Sequence, residues 1–488
     1  MILSKIIEGC RIVSLEGRTD MEVLSVCSDS RKVELGSMFI AVRGFAVNGH
    51  DFIDGALAKG ACAIVYDDPS AIVSMAEGVT YIRVESSRSA LGTIASNFYD
   101  RPSEKLTLVG ITGTNGKTTT VTLLYRLFTR LGYNCGLLST IANYVGSKGT
   151  EAVNTTSDPL TINSLMSQMV EEGCQWCFME VSSIGVEQER IAGLKFKAGI
   201  FSNLTHDHLD YHKSFAEYLR CKKLFFDNLP SDAFAIVNVD DRNGEVMVQN
   251  TKAQKVSYSL RGMADHTCRV MEMSFDGMLL KLDSTETWCR LTGTYNAYNL
   301  LAIYTTAVVL GADKDEVLLA LSTLGPAPGR LENMKGPKDI SIIIDYAHTP
   351  DALENVLKTL REIAPDRELV CLFGCGGDRD RTKRPEMGSI AQKYADRVIV
   401  TSDNSRSERT ADIMADIKTG MDTKGRAKSL FIEDRAEAIR TAVAVATPGA
   451  TILLAGKGHE TYQIIGSEKR HFDEKEIVAQ ITKEYDQQ

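Results

Sequence analysis

The sequence predicts an α/β chain of three domains, and three observations carry that prediction. Short apolar runs rich in Val, Ile and Leu alternate with helical patterns through the middle and last thirds of the chain. Such alternation marks mostly parallel sheets covered by helices on both faces. The length, 488 residues, fits three domains of roughly 150 residues each. Two stretches break the pattern, the polar Tyr99–Lys105 (YDRPSEK) and the Pro- and Gly-rich Leu324–Arg330 (LGPAPGR); neither Pro nor Gly continues a helix well. They divide the chain into 1–103, 104–327 and 328–488.

Composition narrows the class. With 24% charged and 43% hydrophobic residues, the chain is ordinary for a globular protein and unlike a disordered, collagenous or coiled-coil one. The net charge is −9 with no long basic block, which argues against nucleic acid or an anionic membrane as partner. The richest apolar stretch, Ala297–Ala312, is broken by Asn299, Thr305 and Thr306 and falls short of the ~18 residues of a membrane span. The opening MILSKIIEGCRIV meets charge too soon for a secretory signal, so the expectation is a cytoplasmic chain, taken as a monomer. The eleven cysteines are scattered and read as reduced thiols. The one CxxC, Cys174–Cys177, runs straight into the strand-like FMEVSS and reads as core thiols.

The elements follow in order. Residues 1–103 are mixed α/β. In the middle segment LTLVGIT (106–112) is a strand and Lys117–Leu131 a helix; CFMEVSS, AGIFSNL and FAIVNVD are further strands. The last segment repeats the style with ISIIIDY, LVCLFG, RVIVTS, SLFIED and ATILLAG, a second doubly wound, Rossmann-like domain. Ligands of such sheets sit beyond the carboxyl ends of the strands, where the notable polar residues of both segments fall.

The sharpest local signal is Gly110–Thr120 (GITGTNGKTTT). A buried strand enters a Gly-rich turn whose N–H groups converge on phosphate oxygens; Lys117 adds charge and the Thr118 hydroxyl can ligate Mg²⁺. Ile111 stands where the strict phosphate-loop motif has its first Gly. Glu180, at a strand end in MEVSS, is on its own most simply a solvated carboxylate; beside a phosphate loop it reads as a Mg²⁺ ligand. Thr205–His212 (THDHLDYH) packs three His and two Asp together and suggests a hard ion held with one imidazole rather than structural zinc. By periodicity alone Lys222, in YLRCKKLFF, is a surface lysine on a half-apolar helix. The C-terminal segment offers Asp345 and His348 in DYAHTPD, then GCGGDRDRTKRP (374–385), SDNSRSE (402–408) and GKGHE (456–460). Arginines in such strand-end loops can grip carboxylates bidentately.

GTNGKTT, EVSS, DHLDYH with its downstream lysine, YAHTPDAL, GCGGDRD and AGKGHE occur in this order along essentially the whole chain. In this the sequence resembles the Mur ligase family, ATP-dependent amide ligases of peptidoglycan synthesis. The combination GCGGDRD, SDNSRSE and GKGHE is most similar to the branch that adds the third, diamino acid residue of the stem peptide. The resemblance implies a UDP-substrate-binding domain (1–103), a central ATP-binding domain (104–327) and an amino-acid-acceptor domain (328–488). It assigns Gly113, Thr114, Asn115, Gly116, Lys117, Thr118, Thr119, Asn296, Asn299, Arg330 and Asp345 to ATP. Thr118, Glu180, His208 and Lys222 go to Mg²⁺, with Lys222 carried as N6-carboxylysine. Ser30, His50, Asn154, Thr155, Thr156, Ser182 and Arg190 go to the UDP-N-acetylmuramoyl-dipeptide, and Arg379, Asp403, Asn404, Arg406, Gly456 and Glu460 to the diamino acid. Three positions depart from the family pattern: Asn48 precedes Gly49–His50 where Asp is usual, Ile184 follows EVSS where His is common, and Ser405 replaces the Pro of the DNPR string.

The implied chemistry is attack of a D-Glu carboxylate on the γ-phosphate of ATP, followed by amine attack on the acyl phosphate. Lys117, Lys222, His208 and Glu180 serve that chemistry, and His348 is the proton acceptor for the amine. Carbamylation needs a neutral amine, which burial and nearby cations favour for a lysine. The retained Arg406 argues for meso-diaminopimelate, whose distal carboxylate L-lysine and L-ornithine lack. The other readings are the same ligase with L-lysine or L-ornithine, a folylpolyglutamate synthase, and a non-enzymatic nucleotide-binding regulator.

Overall fold

The computed structural model describes residues 1–44, 47–205, 209–212 and 214–487. Three sheets organise them. The first joins β1 (Ile12–Glu16), β2 (Ser25–Cys27), β3 (Ser37–Ile40), β4 (Ala63–Tyr66) and β5 (Thr80–Val84) in the order β1-β5-β4-β3-β2, with only β1 antiparallel to its neighbour.

The second sheet has β6 (Thr107–Thr112) near its centre. Around it lie β7 (Cys135–Leu138), β8 (Ala142–Val145), β9 (Lys148–Glu151), β10 (Trp176–Glu180), β11 (Ala198–Phe201), β12 (Phe234–Asn238), β13 (Gln254–Ser259), β14 (His266–Ser274), β15 (Gly277–Leu282) and β16 (Thr285–Cys289). Their order is β16-β15-β14-β13-β12-β11-β6-β10-β7-β8-β9. The run from β13 to β7 is parallel, and antiparallel hairpins extend both edges.

The third sheet joins β17 (Glu332–Lys335), β18 (Ser341–Asp345), β19 (Leu369–Phe373), β20 (Arg397–Val400), β21 (Ser429–Phe431) and β22 (Thr451–Ala455) in the order β17-β18-β22-β19-β20-β21. It is parallel except for β17. A hairpin of β23 (Tyr462–Ile465) and β24 (Glu468–His471) follows.

The apolar runs are continuous because every second side chain enters a different core. In β6, Val109 and Ile111 face one cluster and Leu108 the other. In β19, Leu369, Cys371 and Phe373 face one and Val370 and Leu372 the other. The first sheet divides likewise, Met38 and Ile40 from Phe39 and Ala41. Cys174 and Cys177 are free thiols buried in the second of the central clusters, as core thiols should be. Helix starts obey their sequence signals: Asp158 caps Pro159–Glu171, Ser214 caps Phe215–Asp227 and Thr349 caps Pro350–Ile363, each through its side chain. Among the described residues no helix is long and apolar enough to cross a membrane.

Candidate active site

The phosphate-loop candidate lies between β6 and the helix Lys117–Arg130. Gly113 and Gly116 have φ of +155° and +89°. A Cβ on Gly116 would lie 2.4 Å from Asn299 Oδ1, and one on Gly113 1.9 Å from Ser202 Oγ. Only glycine fits either place. Ser202 Oγ and Asn203 Nδ2 donate to the Asn115 carbonyl, and Asn115 N–H donates to Asn203 Oδ1. Thr114 Oγ1 lies 3.1 Å from Tyr218 OH. The loop is thus shaped by the ends of β6 and β11 before any ligand arrives.

Two lysines converge on this loop. Lys117 Nζ donates to the carbonyls of Gly113 (2.9 Å) and Thr114 (2.8 Å), and Lys222 Nζ donates to the same Gly113 oxygen at 2.7 Å. Lys222 is 1% exposed and its ammonium lies 4.7 Å from the Tyr218 ring centroid. The surface-lysine reading from periodicity is therefore corrected: the exposed face of Phe215–Asp227 is elsewhere, and this lysine points at the phosphate loop. Thr118 and Thr119 are buried at the helix start. Asn296 Nδ2 donates to the Thr292 carbonyl, Asn299 Nδ2 donates to Asn296 Oδ1, and Thr120 Oγ1 lies 3.5 Å from Asn299 Oδ1. Both asparagines are therefore held against this helix start.

Glu180 ends β10, in register with Ile111 of β6. One carboxylate oxygen accepts from Thr140 N–H at 2.8 Å. The other is fully buried and, among the described residues, accepts no hydrogen bond. A buried oxygen in that condition costs about 1–3 kcal/mol or more, which a cation would recover. No group of three or more His, Cys, Asp or Glu side chains converges as a metal cage among the described residues. A hard cation that keeps water and phosphate ligands needs no such cage, so Glu180 with the Thr118 hydroxyl fits Mg²⁺. His206, Asp207 and His208 lie outside the described residues. His212, within them, is buried with Nε2 2.9 Å from Ser183 Oγ.

The third sheet reaches back to this loop. Arg330 Nη2 lies 3.5 Å from Thr118 Oγ1, and its guanidinium stacks 4.7 Å from the Tyr346 ring centroid. Asp345, at the end of β18, accepts from the N–H groups of Leu331 (2.7 Å) and Ala347 (2.8 Å). Burial raises its carboxyl above the usual range against the pull of Arg330 and those N–H groups. Asp351 Oδ2 accepts from Asn115 Nδ2 at 2.8 Å. His348 Nδ1 lies 2.8 Å from the Tyr346 carbonyl. A carbonyl only accepts, so Nδ1 carries the proton and the neutral ring has its lone pair on Nε2. His459 stands 5.1 Å from the Tyr346 ring; burial, then Arg330 and Lys457, push it down to about 4, so it is neutral at pH 7.

The acceptor candidates surround the ends of β19, β20 and β22. Asn404 Nδ2 donates to Glu460 Oε2 (2.9 Å), which also accepts from Lys457 Nζ (3.0 Å). Asp403 accepts from Asn404 N–H at 2.7 Å. Burial alone would raise its carboxyl, but Lys457 and Arg435 outweigh burial and hold it low. Gly456 has φ +114°, and a Cβ there would meet Asp403 Oδ2 at 2.8 Å. Arg406 adopts φ +49°. Its Nη1 donates to the Gly377 carbonyl at 2.8 Å, and its backbone is tied to the β23–β24 hairpin through Ile464 O and Gly466 N–H. Arg379 is exposed and donates only to the neighbouring Asp378 carbonyl among the described residues.

The substrate-loop candidates adjoin Glu180. Thr156 Oγ1 donates to the Glu180 carbonyl and accepts from Ser182 N–H; Ser182 caps the helix Ser183–Glu187. Arg190 Nη1 donates to the Thr156 carbonyl at 2.6 Å, Thr140 Oγ1 lies 3.1 Å from Thr155 Oγ1, and Asn154 is exposed. In the first sheet's segment Ser30 opens a short 3₁₀ turn whose carbonyl accepts from Lys59. His50 is buried: Nδ1 lies 2.9 Å from Asn48 Oδ1, and Nε2 meets Asp67 Oδ1 at 3.0 Å. Asn48 caps a second 3₁₀ turn, Gly49–Phe52, by accepting from His50 N–H through its side chain.

Four residues close to these groups escaped the sequence reading. Asp351 and Lys457 stand inside quoted motifs. Arg384 does too; it pairs with Glu408 (2.7 Å) and Asp416 (2.8 Å). Arg435 has no motif around it and carried no signal.

Comparison with known proteins adds three family matches in chain order. They are the Mur ligase family catalytic domain over 22–99, the Mur ligase middle domain over 111–307 and the Mur ligase glutamate ligase domain over 329–458. The chain is 51% identical over 481 residues to a UDP-N-acetylmuramoyl-L-alanyl-D-glutamate–2,6-diaminopimelate ligase of Cytophaga hutchinsonii, covering 99% of each. It is 48% identical over 482 residues to the Bacteroides fragilis protein of that name, again covering 99% of each. A solved structure of a ligase of the same name superposes with a TM-score of 0.71 at 30% identity over 99% of both chains. The MurF ligase of Thermotoga maritima in complex with ADP shares the fold, with a TM-score of 0.63 at 18% identity over 94% of this chain and 97% of that one.

Proposed function

The chain belongs to the Mur ligase family, and from that premise we propose that it joins meso-diaminopimelate to the D-Glu of UDP-N-acetylmuramoyl-L-Ala-D-Glu. It is an ATP-dependent acid–amino-acid ligase, releasing ADP and phosphate. Residues 1–103 take the UDP end of the substrate, 104–327 the ATP and 328–488 the diamino acid, in the cytoplasm.

The observation that carries this reading is the convergence of Lys117 and Lys222 on the Gly113 carbonyl. Forming an acyl phosphate brings two anions together, a carboxylate and a γ-phosphate. The fixed positive charge of Lys117 at the phosphate loop offsets their repulsion most in the transition state, while Lys222, buried beside the same carbonyl, is placed to help hold a cation once carboxylated. Lys117 holds the phosphates, with the loop N–H groups from Gly113 to Thr119. Asn296 and Asn299 border the adenine side, and Arg330 lies across the nucleotide from the third domain, itself anchored near Asp345. Mg²⁺ would be held by Thr118, Glu180 and His208, with Lys222 in its N6-carboxylated form; there it would neutralise phosphate charge and orient the oxygens. Ser30, His50, Asn154, Thr155, Thr156, Ser182 and Arg190 position the muramoyl-dipeptide so that its D-Glu carboxylate faces the γ-phosphate.

The acceptor amine then attacks the acyl carbon. The C–N bond forms, phosphate leaves with the electron pair of the C–O bond, and the amine proton passes to Nε2 of His348. Asp403, Asn404 and Glu460 take the ammonium groups of the diamino acid, and Arg379 and Arg406 its carboxylates. Gly456 leaves room for its backbone-like end. Full-length likeness to diaminopimelate ligases and the retained Arg406 both favour diaminopimelate over L-lysine or L-ornithine.

The test is ADP release with ATP, Mg²⁺ and UDP-N-acetylmuramoyl-L-Ala-D-Glu, with each of the three diamino acids supplied in turn. Turnover with diaminopimelate alone is expected. Turnover with lysine or ornithine would overturn the acceptor assignment, and none with any acceptor would overturn the ligase.

A further inference from the structure

Beneath the acceptor loops lies an ion pair that no step above uses. Arg435 opens the helix Arg435–Val445, and Glu474 opens the helix Glu474–Asp486. Their side chains are 0% and 1% exposed and meet at 2.8 Å. Arg435 Nη1 donates to the Ser402 carbonyl at 3.1 Å, and Nη2 to the Ala455 carbonyl at 2.8 Å. Those carbonyls immediately precede Asp403 and Gly456, two of the acceptor positions. Ser402 follows β20 and Ala455 ends β22; these strands do not pair with each other, and each pairs with β19 between them. No sheet hydrogen bond therefore joins the two loop ends; Asn404 and Lys457 link the loops through side chains, and the Arg435 guanidinium ties their backbone carbonyls together. Across this joint Asp403 Oδ2 would lie 2.8 Å from a Cβ on Gly456.

The pair is costly for what it does to stability. Two fully desolvated charges rarely outperform an apolar pair of the same size, and Glu474 Oε2 accepts no hydrogen bond among the described residues. Burial pushes the Glu474 carboxyl up despite Arg435 beside it. A guanidinium, in contrast with a lysine, can serve two carbonyls and a carboxylate from one plane.

We propose that Arg435, oriented by Glu474, is a positioning residue for the acceptor: it sets the spacing between the Asp403 and Gly456 loops and hence the affinity for the diamino acid. The proposal rests on the ligase reading above and names what tunes its third substrate.

The test is steady-state kinetics of the full chain carrying Arg435→Met together with Glu474→Leu, which removes both buried charges at once. The KM for diaminopimelate is expected to rise about tenfold or more, while kcat and the KM values for ATP and the UDP-substrate stay within about threefold. The thermal midpoint is expected to hold or rise. An unchanged acceptor KM, or a parallel rise of all three KM values, would overturn the proposal, the second by showing a merely structural role. Should the double variant not fold, Arg435→Lys, which keeps the charge but cannot hold both carbonyls, is judged by the same split. Failure of the unaltered enzyme to release ADP with any acceptor would overturn the ligase reading itself, a result distinct from a flat acceptor KM in an active enzyme.

Discussion

Arg406 shows how much one side chain can decide. Its φ of +49° is a conformation that costs a non-glycine residue about 1–2 kcal/mol. That cost persists only where surroundings over-determine the backbone, and here the Ile464 carbonyl and the Gly466 N–H do so from both sides. Ser405, in place of the family proline, is buried beside it, so packing supplies the rigidity that a proline ring would otherwise give. On the proposed reading, the guanidinium then serves a carboxylate at one end of the acceptor. Arg406→Ala should reduce kcat/KM for diaminopimelate by about 10²-fold or more, because a distal carboxylate loses its bidentate partner. Any turnover with L-lysine, which has no such carboxylate, should change little. Parallel ADP-release assays with the two amino acids check this; equal losses would assign Arg406 to loop structure.

At the scale of elements, the two loops after β19 and β20 depend on a brace between helices. Arg384, in Lys383–Tyr394, is wholly buried and holds Glu408 and Asp416, while Glu408 also accepts from Asp378 N–H at 2.7 Å. Hydrogen bonding to Arg384, ahead of smaller effects, pulls the Glu408 carboxyl down from 4.5 to about 2. A carboxyl held low in the folded state binds its proton more readily when unfolded. Its stabilising effect is therefore complete above about pH 4.5 and disappears as pH falls toward 2. Glu408→Gln should lower the thermal midpoint at neutral pH by a margin that closes between about pH 5 and pH 2. Calorimetry across that range tests it, and a constant margin would refute it.

Elements also explain what could be read in advance. β6, β10 to β12, β18 to β20 and β22 were legible because they are largely buried on both faces and their sequences are nearly unbroken apolar runs; β21 was legible from SLFIED although it is partly exposed. The antiparallel edge β14 to β16 was not. Its strands mix exposed polar residues with buried ones, and no single run stands out. Lys222 misled for a different reason. Helical periodicity describes a residue's own face, whereas its partner Gly113 stands 109 positions earlier. Arg435 is harder still, since two of its partners are backbone carbonyls that leave no side-chain signature and its carboxylate partner, Glu474, lies 39 positions away.

At the scale of the whole molecule, the middle and last domains meet at the phosphate loop. The linker Leu324–Arg330 hangs from the helix Lys117–Arg130 at both ends: Arg126 Nη1 donates to the carbonyls of Gly325 (3.3 Å) and Pro326 (3.0 Å), and Arg330 reaches Thr118. A third tie comes from the far side. Asp351, in the first turn of Pro350–Ile363, accepts from Asn115 Nδ2 at 2.8 Å and lies 3.4 Å from Thr205 Oγ1. Any rearrangement of the Gly113–Gly116 loop around a nucleotide is thus felt directly by the acceptor domain. On the proposed reading, closure of that domain would also keep water from the acyl phosphate. A hydrogen bond to a charged group contributes about 1.5–3 kcal/mol, enough to shift a two-state domain equilibrium roughly tenfold to a hundredfold. Asp351→Ala should therefore cut kcat about tenfold or more while nucleotide affinity, set by Lys117 and the loop N–H groups, stays within about threefold. ADP release measures the first and fluorescent-nucleotide titration the second. Unchanged turnover would mean that the linker anchors alone hold the acceptor domain in place. A matching loss of nucleotide affinity would mean that Asp351 shapes the loop rather than joining the domains.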